Sequence, residues 1–393
     1  MDTIASADGQ TIISVTAYDI AMSGLIVKST DGGGTWSTIS LSGGSGTYLD
    51  LWASRDATTI LIADYGNDLY YSTNSGSSFV TLNLNPKNLE AVTASDDGST
   101  IFVAIGNDGI YKATSVTGGT TSWTQVVAVA SSMWNGACSS DDGVYSAFVE
   151  YFGGQSGLYF SSDSGVSYST KTIPYSNPGN YLQDVACDST GQYFAVAVQN
   201  AGFIYVSSDY GATFALQSSY SGDSINALSI SSDGSFMAAM SMYGYVYVSG
   251  DYGVTWEQMA SYPNNAQAST ACNYLGGKLD SSNTLFTASD MGYIIKYVFS
   301  LPPTYAPTYA PTYAPTYAPT DETNSNNIGN NTSDDAGSNL LGLIALIALL
   351  PCCGFIYYLG FYRCKKDEKK EESKVPEEKT AEMVEFVPSS HSV

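Results

Sequence analysis

Ser249-Gly250-Asp251-Tyr252-Gly253-Val254-Thr255-Trp256 recurs along this chain with small changes. The copies are STDGGGTW from Ser29 to Trp36, STNSGSSF from Ser72 to Phe79, SSDSGVSY from Ser161 to Tyr168 and SSDYGATF from Ser207 to Phe214. All fit Ser-x-Asp-x-Gly-x-Thr/Ser-aromatic, with Asn74 replacing the Asp once. A degenerate stretch, Ala113 to Trp123, fills the long gap, so the starts at 29, 72, 113, 161, 207 and 249 lie 43, 41, 48, 46 and 42 residues apart. A period of that length matches one four-stranded β unit.

The residues between the copies read as strands and tight turns. An apolar run such as Leu89 to Ala94 leads into Asp97-Gly98, and Asp8-Gly9, Asp142-Gly143 and Asp233-Gly234 stand in the same place in other units. Asp-Gly between apolar runs signals a hairpin, because both residues accept positive φ. A second strand such as Thr100 to Ile105 follows. A third, such as Gly244 to Tyr247, ends at the repeated stretch, which turns into a fourth.

This repeat resembles the Asp-box, or bacterial neuraminidase repeat, of β-propellers. The resemblance covers roughly residues 1–260, and the strand pattern extends it to 299. It implies an all-β propeller of seven four-stranded blades. The last blade is expected to be incomplete, because the chain turns to proline at Leu301-Pro302-Pro303 before a fourth strand. Met1 to Ala5 lacks the basic start and apolar core of a secretory signal. The expectation is a longer natural N-terminus that carries a signal peptide and the closing strand. In the Asp-box family the Asp caps a tight turn, so Asp31, Asn74, Asp163, Asp209 and Asp251 are expected to be structural.

Residues 1–300 hold 22 Asp and 3 Glu against 6 Lys and 1 Arg, a formal charge of −18. Such a surface repels phosphate backbones, which argues against nucleic acid as a partner. His391 is the only histidine and lies three residues from the end. This removes Ser-His and Cys-His catalysis and histidine-bound metal from the folded domain; no metal and no cofactor is expected. Cys138, Cys187 and Cys272 fit neither a zinc site nor a disulfide framework, and each reads as a small residue late in an innermost strand. Sialidases of the Asp-box family hold a carboxylate with three arginines. This chain has Arg55 in the propeller and Arg363 far beyond it, so a sialidase clamp cannot be built.

Residues 301–339 begin with PPTYAPTYAPTYAPTYAPT, an extended stalk, and continue as a polar linker with overlapping glycosylation sequons at Asn330 and Asn331. Leu340 to Tyr362 is 23 residues without a charge, followed by Arg363, Lys365 and Lys366. That predicts one transmembrane helix at 340–362, with the C-terminus cytoplasmic and the propeller outside or lumenal. The protein would then lie in the plasma membrane or a secretory-pathway membrane. Residues 363–393, rich in Lys and Glu, are expected to be a disordered cytoplasmic tail.

The innermost strands of successive units open with Asp50, Glu90, Asn135, Asp184 and Asn226. In a propeller these starts would ring one mouth of the central channel, opposite the Asp-box turns. They are either a site for a cation, an amine or sugar hydroxyls, or local partners of loop backbone groups. Sortilin-type receptors join an Asp-box propeller to one membrane span. The functional expectation is therefore a cell-surface binding, adhesion or receptor module for a protein or glycan. A membrane-tethered glycan hydrolase using two carboxylates and a structural cell-wall protein are the alternatives.

Overall fold

In a computed structural model the chain describes residues 2–15, 24–44, 46–84, 88–114, 116, 121–129, 132–151, 157–173, 181–199, 202–219, 224–241, 245–258, 274–279, 284–289, 294–298 and 381–384. The described residues are all β and contain no helix. The first sheet is β1 (Asp2–Ala5), β2 (Ile12–Val15), β3 (Ile26–Ser29) and β4 (Ser37–Ile39). The second is β5 (Tyr48–Ala53), β6 (Ile60–Asp64), β7 (Leu69–Ser72) and β8 (Val80–Thr81). The third is β9 (Leu89–Ala94), β10 (Thr100–Ile105), β11 (Gly109–Thr114) and β12 (Trp123–Ala128), and the fourth is β13 (Trp134–Ser139), β14 (Ser146–Glu150), β15 (Leu158–Ser161) and β16 (Ser169–Lys171). The fifth is β17 (Leu182–Cys187), β18 (Phe194–Val198), β19 (Phe203–Ser207) and β20 (Ala215–Ser219), and the sixth is β21 (Ile225–Ile230), β22 (Met237–Ser241), β23 (Val246–Ser249) and β24 (Glu257–Gln258). A further sheet follows, β25 (Tyr274–Leu279), β26 (Thr284–Ser289), β27 (Ile294–Val298) and β28 (Ala381–Val384), described as backbone apart from Leu285.

Each sheet is an antiparallel meander, paired in chain order from the innermost strand outward. The innermost strands neighbour one another in turn: β1 with β5, β5 with β9, β9 with β13, β13 with β17 and β17 with β21. This is a β-propeller. The second strand of each blade carries the core. Ile12–Val15, Ile60–Asp64, Ser146–Glu150, Phe194–Val198 and Met237–Ser241 are buried along their whole length. A strand in that place has neighbours on both edges and both faces, so a near-continuous run of Val, Ile, Phe, Ala and Met fits it better than alternation. Side chains from facing blades meet between the sheets. Phe160 of the fourth blade lies edge-on to Phe194 of the fifth, centroids 5.2 Å apart at 72°; edge-to-face pairs are a favoured aromatic geometry.

The turn after the innermost strand repeats one construction in five of the first six blades; in the fifth, Asp188 takes the place of the Ser and accepts from the Thr190 hydroxyl. Ser6, Ser54, Ser95, Ser140 and Ser231 each donate from Oγ to an Asp two residues on, at 2.6–2.7 Å. The next residue has positive φ: Gly9 at 67°, Gly98 at 65°, Gly143 at 67° and Gly234 at 76°. Ala57 takes the same role in the second blade at 53°. That turn carries no Asp-Gly, so the sequence pattern does not mark it.

One sequence-based expectation is corrected at the end of the chain. The last sheet does not stop at three strands, because Ala381–Val384 pairs antiparallel with Ile294–Val298, Ile294 opposite Val384. β28 lies within 363–393, whose other residues are outside the described ones. Ala381-Glu382-Met383-Val384 is a short, mostly apolar run within a charged tail, and as an outer strand it covers the N–H and C=O groups of β27 that would otherwise be exposed. A fourth strand can come from any distance in sequence, so a strand pattern read only to residue 299 misses it. Residues 1–302 and 378–393 form one compact unit; the other, 303–377, lies outside the described residues. With it lie the expected stalk, the sequons at Asn330 and Asn331 and the expected helix at 340–362. Among the described residues no helix is long and apolar enough to cross a membrane.

Candidate binding site at the channel mouth

The innermost strands do not run straight into the channel. Each of the five from β5 to β21 carries a one-residue β-bulge near its start, where one strand has an extra residue with no opposite partner. The extra residues are Leu49, Glu90, Asn135, Gln183 and Asn226. A bulge re-aims the side chains beside it. It therefore divides the five residues that the sequence groups as one ring. Glu90, Asn135 and Asn226 are the bulged residues; Asp50 and Asp184 come one position later, where the other blades carry Ala91, Gly136 and Ala227.

That later position holds a repeated device. The Asp50 carboxylate accepts from its neighbour Leu51 N at 3.0 Å and from Val92 N of the next blade at 2.6 Å. Asp184 accepts from Val185 N and from Leu228 N of the next blade, each at 2.8 Å. Asp2, which the sequence reading did not single out, does the same, from Thr3 N at 2.7 Å and Leu51 N at 3.2 Å. Each carboxylate thus joins its own blade to the next through one main-chain N–H per oxygen. The signal for Asp2 was present: Asp2-Thr3-Ile4-Ala5 has the register of Asp50-Leu51-Trp52-Ala53 and Asp184-Val185-Ala186-Cys187. Glu90, longer and on the bulge, reaches Trp134 N at 2.8 Å. Asn135 is exposed and donates to Gln183 Oε1 at 3.3 Å.

These groups surround a cavity of about 180 Å³ at the mouth, whose walls include Asp2, Asp50, Asn135, Asp184 and Asn226. Glu90 is not among its lining residues. Among the described residues no Lys, Arg or His lines it. Burial in the channel wall disfavours the charged carboxylate and lifts Asp184 to about 7. Burial, and then the neighbouring Asp2 charge, raise Asp50 well above the usual carboxylate range. Burial also raises Asp2 and Glu90. Asn226 is 9% exposed, and its Oδ1 accepts no hydrogen bond. Among the described residues, no group of three or more acids, cysteines or histidines is placed to hold a metal ion. Cys138 and Cys187 both reach the channel wall, but not from equivalent positions. Cys138 lies three residues after its bulge and Cys187 four, so they occupy opposite faces of their strands. Cys272 lies outside the described residues.

The repeated Ser-x-Asp turns lie at the other end of the blades. In each, the Ser hydroxyl donates to the Asp or Asn, and the Gly N–H bonds back to the Ser oxygen. Asp31, Asp163, Asp209 and Asp251 also take the following Thr or Ser through both its N–H and its hydroxyl. The hydroxyl bond from Thr35 is the largest cause that holds Asp31 at about 2, and that from Ser167 does the same for Asp163. At Asn74 the polarity reverses: its Oδ1 accepts Ser78 N and its Nδ2 donates to Ser78 Oγ. All five side chains are engaged within their own turns. Arg55 lies at the same end, its Nε 2.7 Å from Asp141 Oδ2, a close ion pair without the angle of a directed hydrogen bond.

No family model and no curated protein matches this sequence. Solved structures do match in shape. The β-propeller domain of Cps50 (Swd1) from Myceliophteria thermophila superposes with a TM-score of 0.58 at 14% identity, over 76% of this chain and 97% of that one. Ycf48 bound to D1 peptide gives 0.57 at 15% identity, over 76% and 91%. At such identity the likeness shows the fold alone: this chain is a β-propeller.

Proposed function

We propose that the chain is a single-pass membrane protein whose seven-bladed propeller, akin to Asp-box propellers, is a binding or adhesion module for an extracellular protein or glycan. The observation that carries this reading is the recessed polar cavity at one channel mouth, framed by innermost strands of successive blades. Concave sites with a few fixed polar groups suit ligand binding. Asp2, Asp50 and Asp184 each have both oxygens on main-chain N–H groups, which suits rigid recognition better than the free acid–base pair of a glycoside hydrolase. A solved propeller of similar shape, Ycf48, holds a peptide.

The 23 uncharged residues at 340–362 and the basic cluster after them support the membrane span. The span sets one condition. A strand at 381–384 that pairs with β27 cannot lie across a bilayer from it, so the membrane-crossing form leaves β27 as the outer strand of its sheet. The test is the full chain in sealed membranes. Expected are glycosidase-sensitive mass at Asn330 or Asn331, a C-terminus reached by protease only after permeabilisation, and saturable binding of a protein or glycan without turnover. A C-terminus accessible on the same side as the propeller would overturn the span, and oligosaccharide turnover would overturn the binding reading.

A further inference from the structure

We propose that tyrosines at the Ser-x-Asp end of the fourth to sixth blades form a docking surface for an arginine-bearing segment of a partner protein. The surface shares no residue with the cavity at the channel mouth, so it extends the binding-module reading to a second site.

The repeated turn shows what is unusual there. Its fourth position has positive φ in every copy: Gly32 at 68°, Ser75 at 55°, Ser164 at 59°, Tyr210 at 58° and Tyr252 at 62°. Glycine and serine fill it in the first, second and fourth blades, so the fold asks for no large side chain. A bulky residue is disfavoured at such φ. The fifth and sixth blades nonetheless carry tyrosine, and these are 46% and 44% exposed. The sixth position divides in the same way. It is Gly34 and Ser77 in the first two blades, but exposed Val166 and Val254 in the fourth and sixth. One sector of this end is therefore apolar and aromatic where the same turn elsewhere is small and polar.

The rings are held in place. Tyr210 packs on Tyr145 of the fourth blade, centroids 5.3 Å apart at 33°, and Tyr252 stacks on Tyr193 of the fifth, centroids 5.0 Å apart at 30°. The inner tyrosines rest in turn on glycine. A Cβ at Gly191 would lie 2.6 Å from Tyr145 Cδ2, and one at Gly234 would lie 2.4 Å from Tyr193 Cδ2. Tyr210 also interacts electrostatically with Tyr193, so the two stacks are neighbours across three blades. Fixed aromatic rings offer contact area at a low ordering cost, which is why tyrosine serves recognition surfaces well.

Charge selects the partner. Residues 132–258, the fourth to sixth blades, hold 11 acidic residues and one basic, Lys171. Lys171 itself lies over the Phe160 ring, 5.0 Å from its centroid. The turn acids stay ionised: the Ser167 hydroxyl holds Asp163 at about 2, and the Thr213 hydroxyl lowers Asp209. Their oxygens are already engaged within their turns. The surface thus offers ring faces and negative charge rather than free, fixed partners for sugar hydroxyls. A guanidinium uses both, because it stacks on an aromatic face and is drawn by the carboxylates. A neutral glycan uses only the rings, and a phosphate-bearing partner is repelled.

The experiment is fluorescence anisotropy with the full chain and a labelled peptide of alternating glycine and arginine. Its citrulline and lysine counterparts and a labelled chito-oligosaccharide serve as comparisons. Expected are saturable binding of the arginine peptide, weaker binding of the lysine peptide, none of the citrulline peptide, and a loss of affinity as salt is raised. Tyr210→Ser with Tyr252→Ser should weaken binding about tenfold or more. That chain should stay folded, because Ser75 and Ser164 already hold the same φ, and circular dichroism checks this. Tyr210→Phe with Tyr252→Phe should bind within about twofold of the wild type, since the ring face and not the hydroxyl meets the cation. Asp163→Asn with Asp209→Asn should weaken binding about threefold or more, while the turns persist as they do at Asn74. Serine or asparagine variants that bind as the wild type does, phenylalanine variants that fail to bind, equal binding of the citrulline peptide, or a preference for the oligosaccharide would each overturn the proposal. An arginine peptide that fails while another protein or glycan binds saturably would sink this surface alone and leave the binding module standing. A wild-type chain with no saturable protein or glycan ligand would sink both.

Discussion

Replacing Asp184 by Asn should change how stability depends on pH more than it changes stability itself. In the folded chain Asp184 titrates at about 7 because burial disfavours its charge; an ordinary Asp titrates near 3.8. A carboxyl whose folded pKa is raised favours the folded state while protonated. Its contribution is full below about pH 3.8 and is lost as pH climbs to about 7, and a difference of that size is worth about 4 kcal/mol. Asn carries no charge at any of these values. It also offers one acceptor oxygen where Asp184 uses two, for Val185 N and Leu228 N. One buried N–H then loses its partner, at a cost of about 1–3 kcal/mol. At pH 4 the variant should therefore be less stable than the wild type by that amount. At pH 8 the wild type has lost about 4 kcal/mol to ionisation, so the variant should equal or exceed it. Urea unfolding of both full-length chains at several pH values, followed by tryptophan fluorescence, should give two stability curves that cross between about pH 4.5 and 6. Parallel curves would refute a buried, ionisation-resistant Asp184.

Other outcomes follow from single contacts. Gly136→Ala would place a Cβ 2.2 Å from Asp184 Oδ1 and 3.2 Å from Val185 N; thermal unfolding should show a loss of about 1–3 kcal/mol. The same substitution should cost clearly less in an Asp184→Ala background, and additive costs would show that the two residues do not share that space. Asp251→Ala removes the acceptor of Thr255 N and of the Thr255 hydroxyl and should cost about 1–2 kcal/mol, as the loss of a turn or cap acceptor does. Asp251→Asn should be close to neutral in the same melt, because Asn74 already serves that turn in the second blade. Gly98→Ala should destabilise through its neighbour as well as its φ. Ala57 shows that the turn accepts alanine near φ 53°, but a Cβ at Gly98 would lie 2.8 Å from Thr59 Cγ2, and a matching gain from Thr59→Ser in the Gly98→Ala chain checks this.

The propeller was legible because its signals are local. Asp97-Gly98 and Asp233-Gly234 mark turns that need positive φ, and the repeated Ser-x-Asp/Asn stretch marks the third turn of five units. The candidate site was legible only as a neighbourhood. Asp50, Glu90, Asn135, Asp184 and Asn226 do open the innermost strands, yet a bulge shifts two of them by one position. In a strand a shift of one reverses the face. Neither the division of the ring nor the inequivalence of Cys138 and Cys187 can be seen without the pairing.

The sequence by itself determined the β class, the period of the blades, the positions of the turns and the acidic, histidine-free character of residues 1–300. These follow from residue chemistry acting over a few positions. Only the tertiary structure decided that Asp2 belongs with Asp50 and Asp184, that each takes a main-chain N–H from the next blade, that Asn226 lines the same cavity, and that Ala381–Val384 lies against Ile294–Val298. Those facts join groups about 40 or more residues apart. Ring closure and strand register set them, and residue order alone does not encode which distant backbone will stand opposite. The SGDYGVTW stretch from Ser249 thus announces the fold, while Asp2, Asp50 and Asp184 gather at the mouth where its copies are absent.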